Sequence, residues 1–148
     1  MENIDVARTF DEVADLLDIQ GANPFRVRAY RTAARTIGTL GTPVESLIAK
    51  DGRALEELPG IGADLAGKIQ EICRTGTLPL LAELTRKTPE SLVALLQIPA
   101  LGPKRAKLVY DALGIKTLAE LERAACAGKL ATLRGIGAAL EQSILRGV

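Results

Sequence analysis

The chain has 148 residues, a formal net charge of +1, 47% apolar residues and only 3% aromatics, enough for one ordinary core or two small helical subdomains built from Leu, Ile, Val and Ala. It contains no histidine, which excludes His-dependent triads, imidazole metal sites and HExxH hydrolases. Cys73 and Cys126 stand isolated and read as reduced thiols of a cytosolic protein; no apolar run approaches the roughly 18 residues of a membrane span, and the N-terminus is too acidic for an export signal.

Along the chain, Ile4, Ala7, Phe10, Val13, Ala14 and Leu17 recur at helical spacing, ended by Gly21 and Asn23-Pro24. The spacing predicts a second helix from about Phe25 to Ile37, with Ala29, Tyr30, Ala33, Ala34 and Ile37 on one side and Arg28, Arg31 and Arg35 on the other. Charge is split here: six acids against Arg8 alone in residues 1–20, then Arg26, Arg28, Arg31, Arg35 and Lys50 against Glu45 alone in residues 21–50. The split predicts a locally basic face on a neutral protein. A short helix near Pro43 to Ala49 precedes the stretch LPGIG, and a helix from about Ala63 to Arg74 follows it, stopped by Gly76. Pro79 and Pro89 open two further short helices, at about Leu80 to Thr85 and Glu90 to Leu96. No period-two run is long enough for a strand.

The LPGIGADLAGKI pattern returns as IPALGPKRAKLVYDAL from Ile98 and as LRGIGAALEQSIL from Leu133, at intervals of 40 and 35 residues. A helix, a short glycine turn and a second helix, three times over, is the helix-hairpin-helix pattern. In the first copy Pro59 presets one turn position and Gly60 accepts the positive φ of a type II turn. Ile61 then anchors in the core, and Gly62 lets a phosphate approach the N–H groups and positive dipole end of the next helix. Glycine-rich hairpins also join helices with no ligand, so one copy alone decides nothing.

The copies differ. In the second, Leu101 and Gly102 precede Pro103, and Lys104, Arg105 and Lys107 crowd a helix start where the macrodipole disfavours cations, a conflict that a bound phosphate resolves. Ala106, Val109, Tyr110 and Leu113 face inward on the wheel, and a solvated charged face is the plainer alternative. Ala100 replaces the first glycine, so this turn is either strained or of type I. The third copy, with Arg134 before its glycines and Glu141 after them, reads mainly as a packing element.

The order NPFRVRAYRTAARTI, LPGIGADLAGKIQEICRTGTL, IPALGPKRAKLVYDALGIKTLAEL resembles the N-terminal region of the family X DNA polymerases, both the bacterial and archaeal members and the polymerase beta group. The resemblance implies a lyase-like helical domain over 1–86 with the first hairpin, and a second subdomain over 87–148 with two more. It implies binding of DNA at gaps or 5′-phosphorylated ends during repair. It also implies a potassium or sodium ion held by backbone carbonyls, which fall here on Glu56, Leu58 and Ile61 and on Leu96, Ile98 and Leu101. Lys68 matches the Schiff-base lysine of the family's 5′-deoxyribose phosphate lyases, Tyr30 the assisting tyrosine and Arg26 the phosphate-binding lysine, with Arg26 and Tyr30 both on the inward side of helix two. Asp64 stands four residues before Lys68 where the polymerase beta group has a second lysine, and Gly67 replaces a glutamate. The palm domain that polymerisation needs has no counterpart in this sequence.

The expectation is an all-α protein of tandem helix-hairpin-helix subdomains, monomeric, cytoplasmic and nucleoid-associated, that holds DNA by its backbone without reading sequence. The DNA contacts expected are Arg26, Gly60, Ile61, Gly62, Leu101, Gly102, Lys104, Arg105 and Lys107. A Lys68 lyase and a helical protein-docking module are the alternatives.

Overall fold

The computed structural model describes residues 2–50, 53–89 and 91–148. Nine α-helices occur among them and no strand: α1 Asn3–Ile19, α2 Pro24–Gly38, α3 Val44–Lys50, α4 Ala63–Thr75, α5 Pro79–Lys87, α6 Ser91–Leu95, α7 Pro103–Leu113, α8 Leu118–Cys126 and α9 Ala138–Gly147. Two single 3-10 turns, Ala54–Glu57 and Leu130–Thr132, lead into the first and third glycine turns. Glu90, expected to open the sixth helix, lies outside the described residues. The chain divides into one unit of Met1–Leu17 with Ala22–Arg86 and another of Asp18–Gly21 with Lys87–Val148.

In the first unit Val6, Phe10, Val13, Ala14 and Leu17 of α1 are buried, as are Val27, Tyr30, Ala33, Ala34 and Ile37 of α2. Phe10 and Tyr30 meet edge to face, ring centroids 5.7 Å apart at 78°. Asn23 caps α2, its Oδ1 accepting from Phe25 N at 2.8 Å, with Pro24 in the first turn. The Asn3 amide pins the loop after α2, donating to Thr42 O at 2.9 Å and accepting from Val44 N at 2.9 Å. Two expected core positions are corrected: Ile4 is 53% exposed and Ala29 lies at the surface. The buried stripe runs through Val6 and Val27 instead, two positions away in each helix.

The second unit closes on Leu92, Leu95, Ile98, Leu101, Ala106, Val109, Ile115, Leu121, Leu130, Ile136 and Ile144. Leu113, read as inward, is 37% exposed, because α7 ends there and Ile115, past the turn at Gly114, enters the core in its place. Helix α8 was not anticipated, although Thr117 is its N-cap: Glu120 N donates to Thr117 Oγ1 at 3.1 Å and that hydroxyl donates to Glu120 Oε1 at 3.1 Å. Glu141 is buried in the first turn of α9, where the dipole favours its charge, and its Oε2 accepts from Ala131 N at 2.9 Å. Glu141→Ala is therefore expected to cost about 1–2 kcal/mol by stripping a half-buried N–H of its acceptor, measured as a lowered midpoint in urea unfolding.

Candidate functional site

Each glycine stretch closes the same four-residue turn. Ile61 N donates to Leu58 O at 3.1 Å, Leu101 N to Ile98 O at 2.9 Å and Ile136 N to Leu133 O at 3.1 Å. In the first and third, Gly60 (φ 77) and Gly135 (φ 93) occupy the left-handed position of a type II turn. No non-glycine residue among those described has a positive φ. Ala100 therefore sits in the second turn without left-handed strain, and of the two forms expected for this turn the strained one is ruled out. The fourth residue of each turn, Ile61, Leu101 and Ile136, is 3%, 1% and 2% exposed. These side chains anchor the turns, so only their backbone can meet a ligand.

The following helices open alike. Gly62, Gly102 and Gly137 are N-caps in extended conformation, none with a side-chain capping bond, and an added Cβ at any of them would have open space around it. First-turn N–H groups with no side-chain acceptor, at a positive dipole end, form an anion-accepting mouth. What surrounds each mouth differs. At α7, Lys104 and Arg105 are exposed and line a recess of about 530 Å³ with Gly102, Pro103 and a single acid, Asp18. Arg105 Nη1 also donates to Ala100 O at 3.3 Å, which carries its charge back over the turn. At α4 the exposed groups are acidic, Asp64 in the first turn with Glu56 and Glu57 just before the turn. At α9 the buried Glu141 carboxylate occupies the first turn. Two cations stand at the helix start only at the second mouth; the third has the exposed Arg134 on its turn but the Glu141 carboxylate in the first turn of its helix.

Behind the first turn, Thr36 Oγ1 donates to Pro59 O at 2.9 Å, and a Cβ on Gly60 would lie 2.8 Å from Thr32 Cγ2. Helix α2 thus sets the orientation of this hairpin. In the second unit a Cβ on Gly147 would lie 2.9 Å from Ile98 Cγ2, so the end of α9 backs the second turn in the same way. The third copy serves the second as a buttress.

Lys68 and Tyr30, paired on resemblance alone, are brought together. Burial draws the Lys68 ammonium towards neutrality, but its hydrogen bond to Asp64 and the nearby Tyr30 hydroxyl outweigh it and hold its pKa above the usual lysine value. The Lys68 Nζ–Asp64 Oδ1 distance is 2.7 Å, and 23% of the lysine side chain is exposed. Arg26 is not inward. It is exposed, because Val27 takes the position three residues before Tyr30 that faces the core. Arg31, expected on the outer face, pairs with Asp15 of α1 at 3.0 Å. Phe25, which the sequence reading passed over, is 75% exposed with the Arg28 guanidinium 5.7 Å from its ring centre. The only signal for it was an aromatic residue directly after a helix-capping Asn-Pro.

For a monovalent cation the donors to test are backbone carbonyls. Leu58 O and Ile98 O each accept one turn hydrogen bond and keep a second lone pair. No group of three or more His, Cys, Asp or Glu is placed to hold a metal among the described residues. Neutral carbonyl oxygens in a non-helical segment fit a potassium or sodium ion in kind.

Residues 1–78 match the family described as helix-hairpin-helix domain, and residues 92–148 the one described as SAM-like helix-hairpin-helix tandem. Over 152 aligned positions, 99% of the chain, the sequence is 32% identical to the DNA polymerase/3′-5′ exonuclease PolX of Bacillus subtilis (strain 168). The chain spans 25% of that relative's length. No helix among the described residues is long and apolar enough to cross a membrane.

Proposed function

The chain belongs to the helix-hairpin-helix family, and on that premise we propose that it holds DNA through the phosphate backbone, without reading sequence, at gaps or 5′-phosphorylated ends during repair. The observation that carries this is the open glycine-capped mouth of α7 with Lys104 and Arg105 exposed at its rim. Likeness along the whole chain to a DNA polymerase/3′-5′ exonuclease supports DNA as the ligand. Gly60, Gly62, Gly102 and the backbone of Ile61 and Leu101 would face phosphates, and Lys107 extends the cationic face of α7. Arg26 is free of ion pairs among the described residues and adds charge beside Phe25, whose exposed ring suits stacking on an unpaired base.

Anisotropy of a labelled gapped duplex against increasing KCl tests the proposal. The expected result is tight binding at low salt that falls steeply, by a log–log slope of about 0.9 for each phosphate contact. No binding at low salt would turn the assignment to a protein-docking module. Carbonyls of Glu56, Leu58 and Ile61, and of Leu96, Ile98 and Leu101, would hold a potassium or sodium ion, whose positive charge would favour a phosphate at the hairpin. Replacing potassium by tetramethylammonium at equal ionic strength is then expected to weaken binding, and equal affinity in both salts argues against the ion.

The meeting of Lys68 with Tyr30 supports a second activity, 5′-deoxyribose phosphate lyase. A Schiff base needs the Lys68 amine neutral, and the Asp64 pair opposes that. Asp64→Asn removes the carboxylate that raises the Lys68 pKa, and is expected to increase the adduct trapped by borohydride on an incised abasic duplex. Lys68→Ala abolishes the adduct. No adduct in either wild type or Asp64→Asn would sink the lyase assignment and leave Lys68 a paired structural lysine.

A further inference from the structure

We infer that a recess beside α7, lined by Lys87, Lys107 and Tyr110, takes the phosphate next to the one held at the second hairpin mouth, so that the strand runs on along α7. This rests on the DNA-binding function proposed above. The recess belongs to the second unit and has a volume of about 380 Å³. Gln20 and Thr88 form a fixed part of its wall: Gln20 Nε2 donates to Thr88 Oγ1 at 3.0 Å, and Thr88 is only 6% exposed.

Two of its three donors are uncommitted, and the third is held only loosely. Lys87, the last residue of α5, is exposed and makes no ion pair or hydrogen bond with any described residue. Tyr110 is half-buried against the core of its unit, and its hydroxyl likewise has no hydrogen-bond partner among the described residues. Lys107 Nζ lies 3.9 Å from Asp111 Oδ2, at the outer limit of an ion pair, with 48% of its side chain exposed. Two ammonium groups and a phenol therefore face the single Asp111 carboxylate, a balance of one positive charge that matches one phosphodiester. An oxyanion is the ligand that such donors satisfy.

Register along the helix supports a strand over an isolated ion. Lys104 lines the recess at the hairpin mouth and Lys107 the one beyond it. Three residues of helix separate them by about 4.5 Å along the axis, so their long side chains can reach neighbouring phosphates of one strand. Lys87, arriving from α5, closes the second recess on a different element, which a merely solvated face of α7 would not require.

The test is anisotropy of the gapped duplex over a KCl series with the full chain. Lys87→Gln is expected to reduce the log–log salt slope by about 0.9, the loss of one phosphate contact. Tyr110→Phe leaves charge unchanged and is expected to weaken binding several-fold at an unchanged slope. Circular dichroism should show both variants folded. If wild type binds and K104E/R105E weakens it, but Lys87→Gln keeps affinity and slope, the recess inference is overturned and the hairpin function stands. If wild type does not bind at all, both fall. Titration with inorganic phosphate, followed by amide NMR shifts, separates the sources: shifts at Lys87 and Thr88 with an unchanged Lys87→Gln salt slope would assign the recess to free phosphate and reject the strand.

Discussion

Reversing two charges at the second hairpin, K104E/R105E, is expected to weaken gapped-duplex binding roughly thirtyfold or more at low salt and to flatten the log–log salt slope by about 1.8, two contacts at 0.9 each. Both residues are exposed and neither belongs to the core of the second unit, so the fold should survive the exchange. The same reversal is expected to relieve a local conflict in the free protein, since acids suit the first turn of α7 better than cations do. A variant that folds more stably while binding DNA less well would be the signature of cations placed for a ligand. Unchanged affinity and slope would remove the second hairpin from the interface.

The second large effect separates two glycines that look alike in the sequence. Gly60→Ala is expected to destabilise the first unit by about 2–4 kcal/mol. The left-handed backbone accounts for about 1–2 kcal/mol of this, and crowding of a packed neighbour for about as much again, because the new Cβ would lie 2.8 Å from Thr32 Cγ2. For a unit of this size that is a fall of about 10 °C or more in the melting temperature. Adding Thr32→Ala should recover the crowding part and leave the backbone part. Gly62 has φ −92 and open space around it, so Gly62→Ala should cost under about 1 kcal/mol, the difference between the two residues as N-caps. Its effect should appear in DNA affinity, since the methyl group stands where a phosphate would approach. Equal melting temperatures for the two variants would contradict the turn geometry described here.

Much of this molecule is settled by local rules. Helical spacing of Leu, Ile, Val and Ala, proline at helix starts and glycine after them reach the all-α fold and the position of each hairpin, because a helix is closed by bonds within four residues and its signals are short-range. The three repeats are legible for the same reason, each turn being a four-residue event that Pro and Gly specify. Tertiary packing decided the rest. Whether Arg26 faced in or out depended on which neighbour, Val27 or Arg26, found a partner helix. Lys68 met Tyr30 only because α2 and α4 pack in one unit, and the third hairpin became a support for the second through Gly147 against Ile98. These are contacts between residues tens of positions apart, selected by shape and burial across the whole unit, and no window of sequence carries the information that chooses among them.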